Sequence, residues 1–407
     1  MSYPILPEGS VRAALILMII IVLGLALWMV SSPPMRRRRR IQRILILGTS
    51  RMAWKLTDEI EARPQCRYAV IAVVDGGMET SQRPPGGLRL ASLDDLRTIM
   101  EAAHPDRVIV ALPERRRHLP THQLMQFWLR GVVVEEGAEV YERLTGKLAV
   151  ESLTPSVLIR SKEFTPSRVH LALGRTMSLL VAVVGLAGLA PLMGLIALAI
   201  KLDSTGPVVF LQERVGLGGK PFKLIKFRTM QPVSRPISEW VRDNGDRITR
   251  VGKWLRKYRL DELPQFVNIL RGDMNLVGPR PHPASNYELL AVLLRNTPEC
   301  GEQIPYYSLR CSVRPGLTGW AQVRYRYANN VEEEIEKMRY DLYYIKHLSF
   351  WLDLRILLET VKTVLLGRGA GDDDPSRAGG PEDRMEQRLN LVSRMRRQAG
   401  IFPLLKD

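Results

Sequence analysis

Two long apolar runs interrupt an otherwise mixed sequence. The first covers residues 11–30 and the second covers residues 176–200. About 20 residues of helix span the hydrocarbon core of a bilayer, so either run is long enough to cross a membrane. Pro191 lies inside the second run and removes a helical hydrogen bond, which also permits a bent helix that enters and leaves on one face. Hydropathy does not choose between these two paths.

Short aliphatic segments alternate with amphipathic ones between the two runs. Strands are predicted over residues 43–48, 68–75, 107–111 and 132–135, with a helix over residues 52–62. This alternation is typical of a parallel, Rossmann-like sheet. Asp75 ends the second strand, where an acidic residue can hold a ribose hydroxyl. The turn at Gly48, however, has one glycine where a dinucleotide fingerprint has three, which favours a regulatory or structural domain over a dinucleotide site.

After the second apolar run the pattern predicts a β-hairpin. Residues 208–214 and 222–228 form its strands, and residues 216–220 form a glycine-rich turn. On an extended strand Lys226 and Arg228 project from one face about 6.5–7 Å apart. That separation suits two cations that bind successive phosphates. A solvated edge strand is the alternative.

Two adjacent carboxylates, Asp261 and Glu262, follow a basic helix predicted over residues 248–258. Asp261 is the predicted N-cap of a new helix, with Pro264 in its first turn and Gly272 after its end. The alternative is a structural role, in which Asp261 only caps the helix and Glu262 forms a surface ion pair.

On that helix Asp261, Gln265 and Asn268 would share one polar stripe, and a helix N-terminus favours a bound anion. Cations flank the pair in sequence: Arg256, Lys257, Arg259, Arg271 and Arg280. We therefore expect a carboxylate and several phosphate-binding cations to converge, with the cations keeping Asp261 ionised.

Charge and cysteine content agree with an anionic substrate at a membrane. The 59 basic and 42 acidic side chains give a net charge of +17, which suits phosphorylated substrates or anionic lipid. No nucleic-acid motif is recognisable. Five arginines at residues 36–40 follow the first apolar run directly, so the positive-inside rule places the rest of the chain in the cytoplasm. Three cysteines without metal-ligand spacing fit a reducing compartment.

The last part of the chain is predicted to hold one amphipathic helix, a linker and a basic helix. Residues 350–366 have near-helical apolar spacing, which fits either core packing or an interfacial helix. Residues 367–382 are rich in glycine, proline and aspartate and are predicted to be a flexible linker. The basic helix beyond them suits a lipid surface or another subunit.

Residues 175–367 resemble the bacterial sugar transferases that are polyprenyl-phosphate phosphoglycosyl transferases of the monotopic type. The matching motifs lie at residues 202–207, 212–216, 226–230, 260–265, 277–281, 314–323 and 340–345. With the Rossmann-like region and residues 304–307, the chain resembles the larger exopolysaccharide-biosynthesis subgroup. It departs from that pattern at Ser178, Ala190, His282 and Cys311.

The resemblance implies an α/β membrane protein in five parts. These are an N-terminal transmembrane anchor and basic flank (1–40), the Rossmann-like parallel sheet domain (41–150), a linker (151–172), a mainly helical transferase domain (173–368), and a linker with a C-terminal helix (369–407). The transferase domain would contain a short hairpin and a re-entrant membrane helix at about 176–200, broken at Pro191. Both domains would then lie on the cytoplasmic face of the bacterial inner membrane.

The resemblance also implies the chemistry. A sugar 1-phosphate would pass from a UDP-sugar to undecaprenyl phosphate with release of UMP, through an aspartyl phosphosugar at Asp261. Mg²⁺ is the implied cofactor, with Asp261 and Glu262 as its implied ligands. Glu262 is the second catalytic residue and is assigned to positioning either the metal or the substrate. A homodimer at the lipid bilayer is expected. The substrate contacts are assigned to Lys226, Arg228, Arg259, Arg280 and Arg214, with polar support from Gln265 and Asn268. Arg314 and Asp341 fit either a structural ion pair or a substrate role.

Two other hypotheses belong to different classes. One is a membrane-anchored scaffold whose transferase half is inactive and whose Rossmann-like domain senses a ligand. The other is an NAD-dependent sugar-nucleotide enzyme, against which the single-glycine turn at Gly48 counts.

Overall fold

The computed structural model describes residues 41–75, 90–112, 119–150, 153, 164, 167–231, 247–283, 307–325 and 331–365. Several expectations therefore lie outside the described residues. These are the anchor at residues 11–30, the arginine run, most of the linker at 151–172, the motif at 304–306, and the linker and helix after residue 366.

A five-stranded parallel sheet forms the first domain. Its strands are β1 (Gln42–Leu47), β2 (Tyr68–Asp75), β3 (Leu90–Ser92), β4 (Arg107–Val110) and β5 (Val133–Glu136), in the spatial order β3-β2-β1-β4-β5. The flanking helices are α1 (Arg51–Glu61), α2 (Leu96–Ala103), α3 (Thr121–Leu129) and α4 (Gly137–Thr145). This strand order is that of a doubly wound fold, so the predicted Rossmann-like sheet is confirmed. The short strand β3 was not predicted.

The turn after β1 depends on one glycine. Gly48 has φ +116°, and a Cβ there would lie 2.6 Å from the carbonyl oxygen of Ala111, so a side chain would clash with the neighbouring strand. Ser50 then caps α1 by accepting a hydrogen bond from the Ala53 N–H. The glycine and the cap thus set the direction in which the chain leaves the sheet.

The second apolar run is the middle of one long helix, α5 (Arg168–Asp203), which remains helical through Pro191. Among the described residues it is the helix long and apolar enough to cross a membrane. Its outward side chains are exposed and large: Leu180, Val183, Val184, Leu195, Leu198 and Leu202. The predicted bounds of 176–200 were too short, because residues 168–175 and 201–203 also belong to the helix.

Both ends of α5 are held by the same domain. Near its start, Arg175 donates hydrogen bonds to the carbonyl oxygens of Ile269 (2.8 Å) and Met274 (2.9 Å). At its end, Asp203 accepts a hydrogen bond from the Val251 N–H at 3.1 Å. The residues between them lie on a helix about 42 Å long at 1.5 Å per residue, which exceeds the roughly 30 Å hydrocarbon core. One domain therefore contacts α5 near both of its ends.

The rest of the second domain is a hairpin, a two-stranded parallel sheet and short helices. Strands β6 (Val209–Val215) and β7 (Pro221–Phe227) form the predicted antiparallel hairpin, and β8 (Asn275–Val277) pairs in parallel with β9 (Gly316–Thr318). The helices are α6 (Arg250–Lys257), α7 (Gln265–Arg271), α8 (Trp320–Arg324), α9 (Val331–Lys346) and α10 (Phe350–Leu365). The buried face of α5 packs on α7 and on the hairpin through Ala182, Ile196 and Ile200.

The two domains pack against each other. Leu148 is fully buried in the core formed by α8, α9 and α10, and its N–H donates to the carbonyl oxygen of Arg339 at 3.0 Å. Trp320 Nε1 donates to the carbonyl oxygen of Gly146 at 2.8 Å. The end of the first domain therefore contributes directly to the core of the second.

Candidate active site

Asp261 and Glu262 lie in a 3₁₀ turn, Leu260–Glu262, between α6 and α7. The turn begins after Arg259, whose φ of 56° is left-handed. Helix α7 begins only at Gln265, with Pro264 before it. The expectation that Asp261 is an N-cap was therefore wrong. The N–H groups of Glu262 and Leu263 donate to carbonyl oxygens three residues back, those of Arg259 and Leu260, so the two carboxylates lie in a separate tight turn.

Glu262 is buried and is held by two arginines. Its Oε1 accepts hydrogen bonds from Arg280 Nη2 (3.0 Å) and Arg259 Nη1 (3.3 Å). Burial acts to raise the pKa of Glu262, but the charges of Arg280 and Arg259 outweigh it and lower that pKa to about 2. Glu262 is therefore a permanent anion that brings both arginines to the site.

Asp261 is the less stabilised carboxylate of the pair. Its Oδ1 is shielded from water, and no hydrogen-bond donor among the described residues reaches it. Burial and then the negative charge of Glu262 raise the pKa of Asp261 to about 6, against the opposing effect of Lys226 and Arg259. Lys226 and Arg259 oppose this rise without cancelling it, because Glu262 takes the arginine hydrogen bonds. Above pH 6 Asp261 is an ionised, poorly solvated carboxylate, which suits a nucleophile or a ligand for a cation.

Lys226 on β7 brings a third cation to the pair. Burial, followed by repulsion from Arg214 and Arg280, lowers the pKa of Lys226 to about 8, and the two carboxylates partly oppose this shift. Lys226 Nζ also lies 5.1 Å from the ring centroid of Phe210. Arg214 is anchored by donating to the carbonyl oxygen of Pro281 at 3.0 Å. The structure thus brings together five predicted site residues: Asp261, Glu262, Lys226, Arg259 and Arg280, with Arg214 beside them.

Arg228 does not pair with Lys226 as a second phosphate-binding cation. It follows β7, is buried, and donates to the carbonyl oxygens of Thr205 (2.8 Å) and Ser204 (2.7 Å). The structure does not support the predicted two-cation face, because the guanidinium of Arg228 binds the loop that follows α5. The structure assigns Arg228 to that loop.

Gln265 and Asn268 are buried on α7 and do not form a stripe with Asp261, which lies outside that helix. Asn268 Oδ1 accepts a hydrogen bond from the Ile225 N–H at 3.0 Å, and its Nδ2 donates to the carbonyl oxygen of Lys223 at 2.8 Å. Asn268 therefore attaches α7 to the strand that carries Lys226.

We expect Asn268→Ala to destabilise the protein by about 1–3 kcal/mol, because it leaves buried backbone groups of β7 without partners. The measurement is the thermal unfolding midpoint in detergent. Arg271→Gln, which changes an exposed side chain on the same helix, is the matched control and should leave the midpoint unchanged. Equal midpoints for both variants would contradict this role of Asn268.

A second group of charged residues lies behind Arg280. Arg310 Nη2 donates to Asp341 Oδ2 at 2.6 Å, and His282 Nε2 lies 2.8 Å from both Arg310 Nη1 and Glu334 Oε1. Burial and then Arg310 lower the pKa of His282 to about 3, so its imidazole is neutral at physiological pH. Arg310 and His282, but not Asp341 or Glu334, line a pocket together with Arg280, Gly216, Pro281 and Cys311, among others.

Arg310 lies in none of the recognised motifs and was not among the predicted site residues. Asp341 was predicted within a motif but without its partner, and an ion pair or a substrate role was predicted for Arg314. In the structure Asp341 pairs with Arg310, whereas Arg314 Nε donates to the carbonyl oxygen of Gly272 at 3.1 Å. Ser178 is buried in α5 and accepts a hydrogen bond from the Leu276 N–H at 2.9 Å, so it joins the helix to β8.

Comparison with known proteins identifies the second domain. Residues 169–367 match the family model described as bacterial sugar transferase. An uncharacterized sugar transferase, EpsL, of Bacillus subtilis is 41% identical over 170 residues, which cover 42% of this chain and 76% of that protein.

Two longer relatives have names that state an activity. A UDP-N-acetylgalactosamine-undecaprenyl-phosphate N-acetylgalactosaminephosphotransferase of Aeromonas hydrophila is 41% identical over 233 residues, covering 57% of this chain and 52% of the relative. An undecaprenyl-phosphate glucose phosphotransferase of Komagataeibacter xylinus is 33% identical over 349 residues, covering 83% of this chain and 62% of the relative. The second alignment is too long to be confined to the transferase region, so the similarity extends into the first domain. The chain spans between about half and two thirds of these relatives' length.

Proposed function

The chain belongs to the bacterial sugar transferase family, and we propose that it transfers a sugar 1-phosphate from a UDP-sugar to undecaprenyl phosphate, releasing UMP. The observation that carries the proposal is the environment of Asp261. It is a carboxylate with an unpartnered, shielded oxygen beside a permanently ionised Glu262 and several cations. The names of the two longer relatives supply the substrate class, and they differ in the sugar.

The proposed reaction has two displacement steps. The Asp261 carboxylate attacks the β-phosphorus of the donor, forming an acyl phosphate bond while the bond from that phosphorus to the bridging oxygen breaks and UMP leaves with the electron pair. A phosphate oxygen of the lipid then attacks the same phosphorus and releases the carboxylate. Such nucleophilic catalysis divides one transfer into two easier steps and gives ping-pong kinetics.

The cations are needed because nucleophile and substrates are all anions. Lys226, Arg259 and Arg280 surround the carboxylates, and in a site shielded from water their attraction for the transferring phosphoryl group is strong. Glu262 holds two of these cations in place. We assign Arg214 to the edge of the donor site and Gln265 and Asn268 to its framework.

The residues present fit a Mg²⁺ ion shared with the donor. Among the described residues no cluster of three or more metal-ligating side chains occurs, and Mg²⁺ commonly takes only one or two carboxylates together with substrate phosphates. The shielded Asp261 Oδ1 is a suitable ligand, whereas Glu262 Oε1 already accepts from two arginines, so Glu262 would offer its other oxygen. When bound, the ion would neutralise phosphate charge.

We propose that α5 enters and leaves the inner membrane on the cytoplasmic face. The contacts of Arg175 and Asp203 with one domain support this topology, and so does the exposed apolar surface between them. The site then faces the cytosol, where UDP-sugars occur, at the depth of the lipid phosphate. The bend at Pro191 and the homodimer remain predictions.

A UMP-release assay on the purified full chain tests the proposal. The protein is given undecaprenyl phosphate, Mg²⁺ and each member of a UDP-sugar panel, and the lipid product is followed with labelled sugar. Release of UMP and labelled lipid diphosphosugar with at least one donor is expected. If none of the UDP-sugars in the panel supports UMP release, the proposal is contradicted and the scaffold hypothesis is favoured.

The plot of kcat/KM against pH should be bell-shaped, with one limb near the pKa of Asp261 and the other near the pKa of Lys226. Asp261 must be ionised, so kcat/KM should rise with pH through about 6. Lys226 must be protonated, so kcat/KM should fall as pH rises through about 8. Lys226→Arg keeps its charge at all working pH values, and we expect it to move the falling limb well above pH 8. Lys223→Arg, an exposed position on the same strand, is the control, and an unmoved limb in Lys226→Arg would exclude Lys226 as its source.

A further inference from the structure

The backbone around Arg280 is held through its carbonyl groups. Prolines precede and follow Arg280, and they have no N–H groups to donate. Instead, the four consecutive carbonyl oxygens of residues 279 to 282 each accept a hydrogen bond. In chain order, the donors are Gly316 N–H, Arg310 Nη2, Arg214 Nη1 and Val215 N–H. The position of the Arg280 side chain therefore depends on donors from three distant parts of the chain.

Arg310 makes the contact at Arg280 itself. Its Nη2 lies 3.2 Å from the carbonyl oxygen of Arg280, and its Nη1 lies 2.8 Å from His282 Nε2. One guanidinium thus holds both residues that flank Pro281. Asp341 on α9, which is 1% exposed, fixes the guanidinium in turn at 2.6 Å.

We propose that Arg310 and Asp341 are positioning residues that hold Arg280 against Glu262. They act through the Arg280 backbone, and the Arg280 side chain completes the connection with its 3.0 Å hydrogen bond to Glu262. The role rests on the proposed function, in which Arg280 contacts the transferring phosphate. Neither Arg310 nor Asp341 touches substrate in this account.

Stability alone gives a poor reason for a buried pair of this kind. Removing two charges from water is costly, and apolar residues of similar volume often stabilise a protein as well or better. A planar guanidinium can, however, donate to several acceptors in a fixed geometry, which a lysine ammonium does not reproduce. Orientation of the loop, rather than stability, is therefore the property that Arg310 supplies.

Arg310→Lys tests the proposal because it keeps a positive charge next to Asp341 but loses the fork of donors. We expect kcat for UMP release to fall by about tenfold to a hundredfold, the usual cost of a small misplacement in an active site. Glu336→Gln is the matched control. Glu336 lies on α9, the helix that carries Asp341, and the substitution removes its ion pair with Lys147. We expect kcat to stay within about twofold of the wild-type value.

A double-mutant cycle with Arg280→Ala separates positioning from a merely structural role. If Arg310 acts through Arg280, then Arg310→Lys should reduce kcat/KM in the wild-type background and have almost no further effect in Arg280→Ala. A purely structural role would instead lower kcat/KM by the same factor in both backgrounds. If Arg310→Lys does not fold, Asp341→Asn, which keeps the shape of the side chain, enters the same cycle.

The outcomes are distinguishable. Full activity of both Arg310→Lys and Asp341→Asn, or equal losses in the two backgrounds, would overturn the positioning role and leave the proposed function intact. Absence of UMP release by the wild-type protein with every donor would contradict the proposed function and this role together.

Discussion

Asp261→Asn should abolish sugar phosphate transfer, with a loss of at least about a thousandfold in kcat, the scale seen when a covalent nucleophile is removed. The amide has nearly the shape of the carboxylate but does not attack the β-phosphorus to form an acyl phosphate. The measurement is UMP release from the preferred UDP-sugar in the presence of undecaprenyl phosphate. Because Oδ1 has no hydrogen-bond donor to lose, the unfolding midpoint should not fall.

Glu359→Gln is the control for this variant. Glu359 lies on α10 and, like Glu262, accepts hydrogen bonds from two arginines, Arg324 and Arg355, but at the surface. It should retain wild-type transfer. An Asp261→Asn protein that released UMP within about tenfold of the wild-type rate would remove Asp261 from the role of nucleophile.

Glu262→Gln should have the second largest effect, a loss of about a hundredfold in kcat/KM, comparable with the removal of one preorganised electrostatic contact. The amide no longer holds Arg280 and Arg259 by charge, so both cations leave the geometry in which they meet the phosphates. The acid limb of the pH profile should also move, which a general loss of function would not cause. Since the charge of Glu262 raises the pKa of Asp261, its removal should shift that limb below pH 6.

The two readouts make this prediction specific. Loss of activity without movement of the acid limb would mean that Glu262 is not electrostatically coupled to the group that titrates. Wild-type activity would reduce the Glu262–Arg280 contact to an ordinary ion pair. Glu359→Gln again provides the comparison, with neither change expected.

Local patterns in the sequence predicted the framework of the site. The alternation of strands and helices predicted the parallel sheet. The two apolar segments joined by a glycine-rich turn predicted the hairpin, whose second strand, β7, carries Lys226. Gly272, with φ +92°, ends α7 as expected. The convergence of Asp261, Glu262 and Arg280 was also predicted, and the structure confirms that these residues lie together.

What the sequence did not predict depends on distant contacts. Arg228 and Asn268 are polar residues of the kinds that bind substrates, yet each binds backbone carbonyl oxygens, 23 and 45 residues away in sequence respectively. No local pattern distinguishes these roles. The pKa of Asp261 likewise depends on which carboxylate the arginines reach, and Glu262 takes both Arg259 and Arg280.

Covalent trapping tests the central chemistry most directly. The wild-type protein would be incubated with UDP-sugar labelled in the β-phosphate, without lipid acceptor, quenched rapidly, digested and mapped by mass spectrometry. We expect an acid-stable, base-labile phosphosugar on the peptide that contains Asp261, formed together with UMP and discharged when undecaprenyl phosphate is added. UMP and labelled lipid formed at full rate in a parallel reaction, with no label on that peptide at any quench time, would contradict the covalent mechanism.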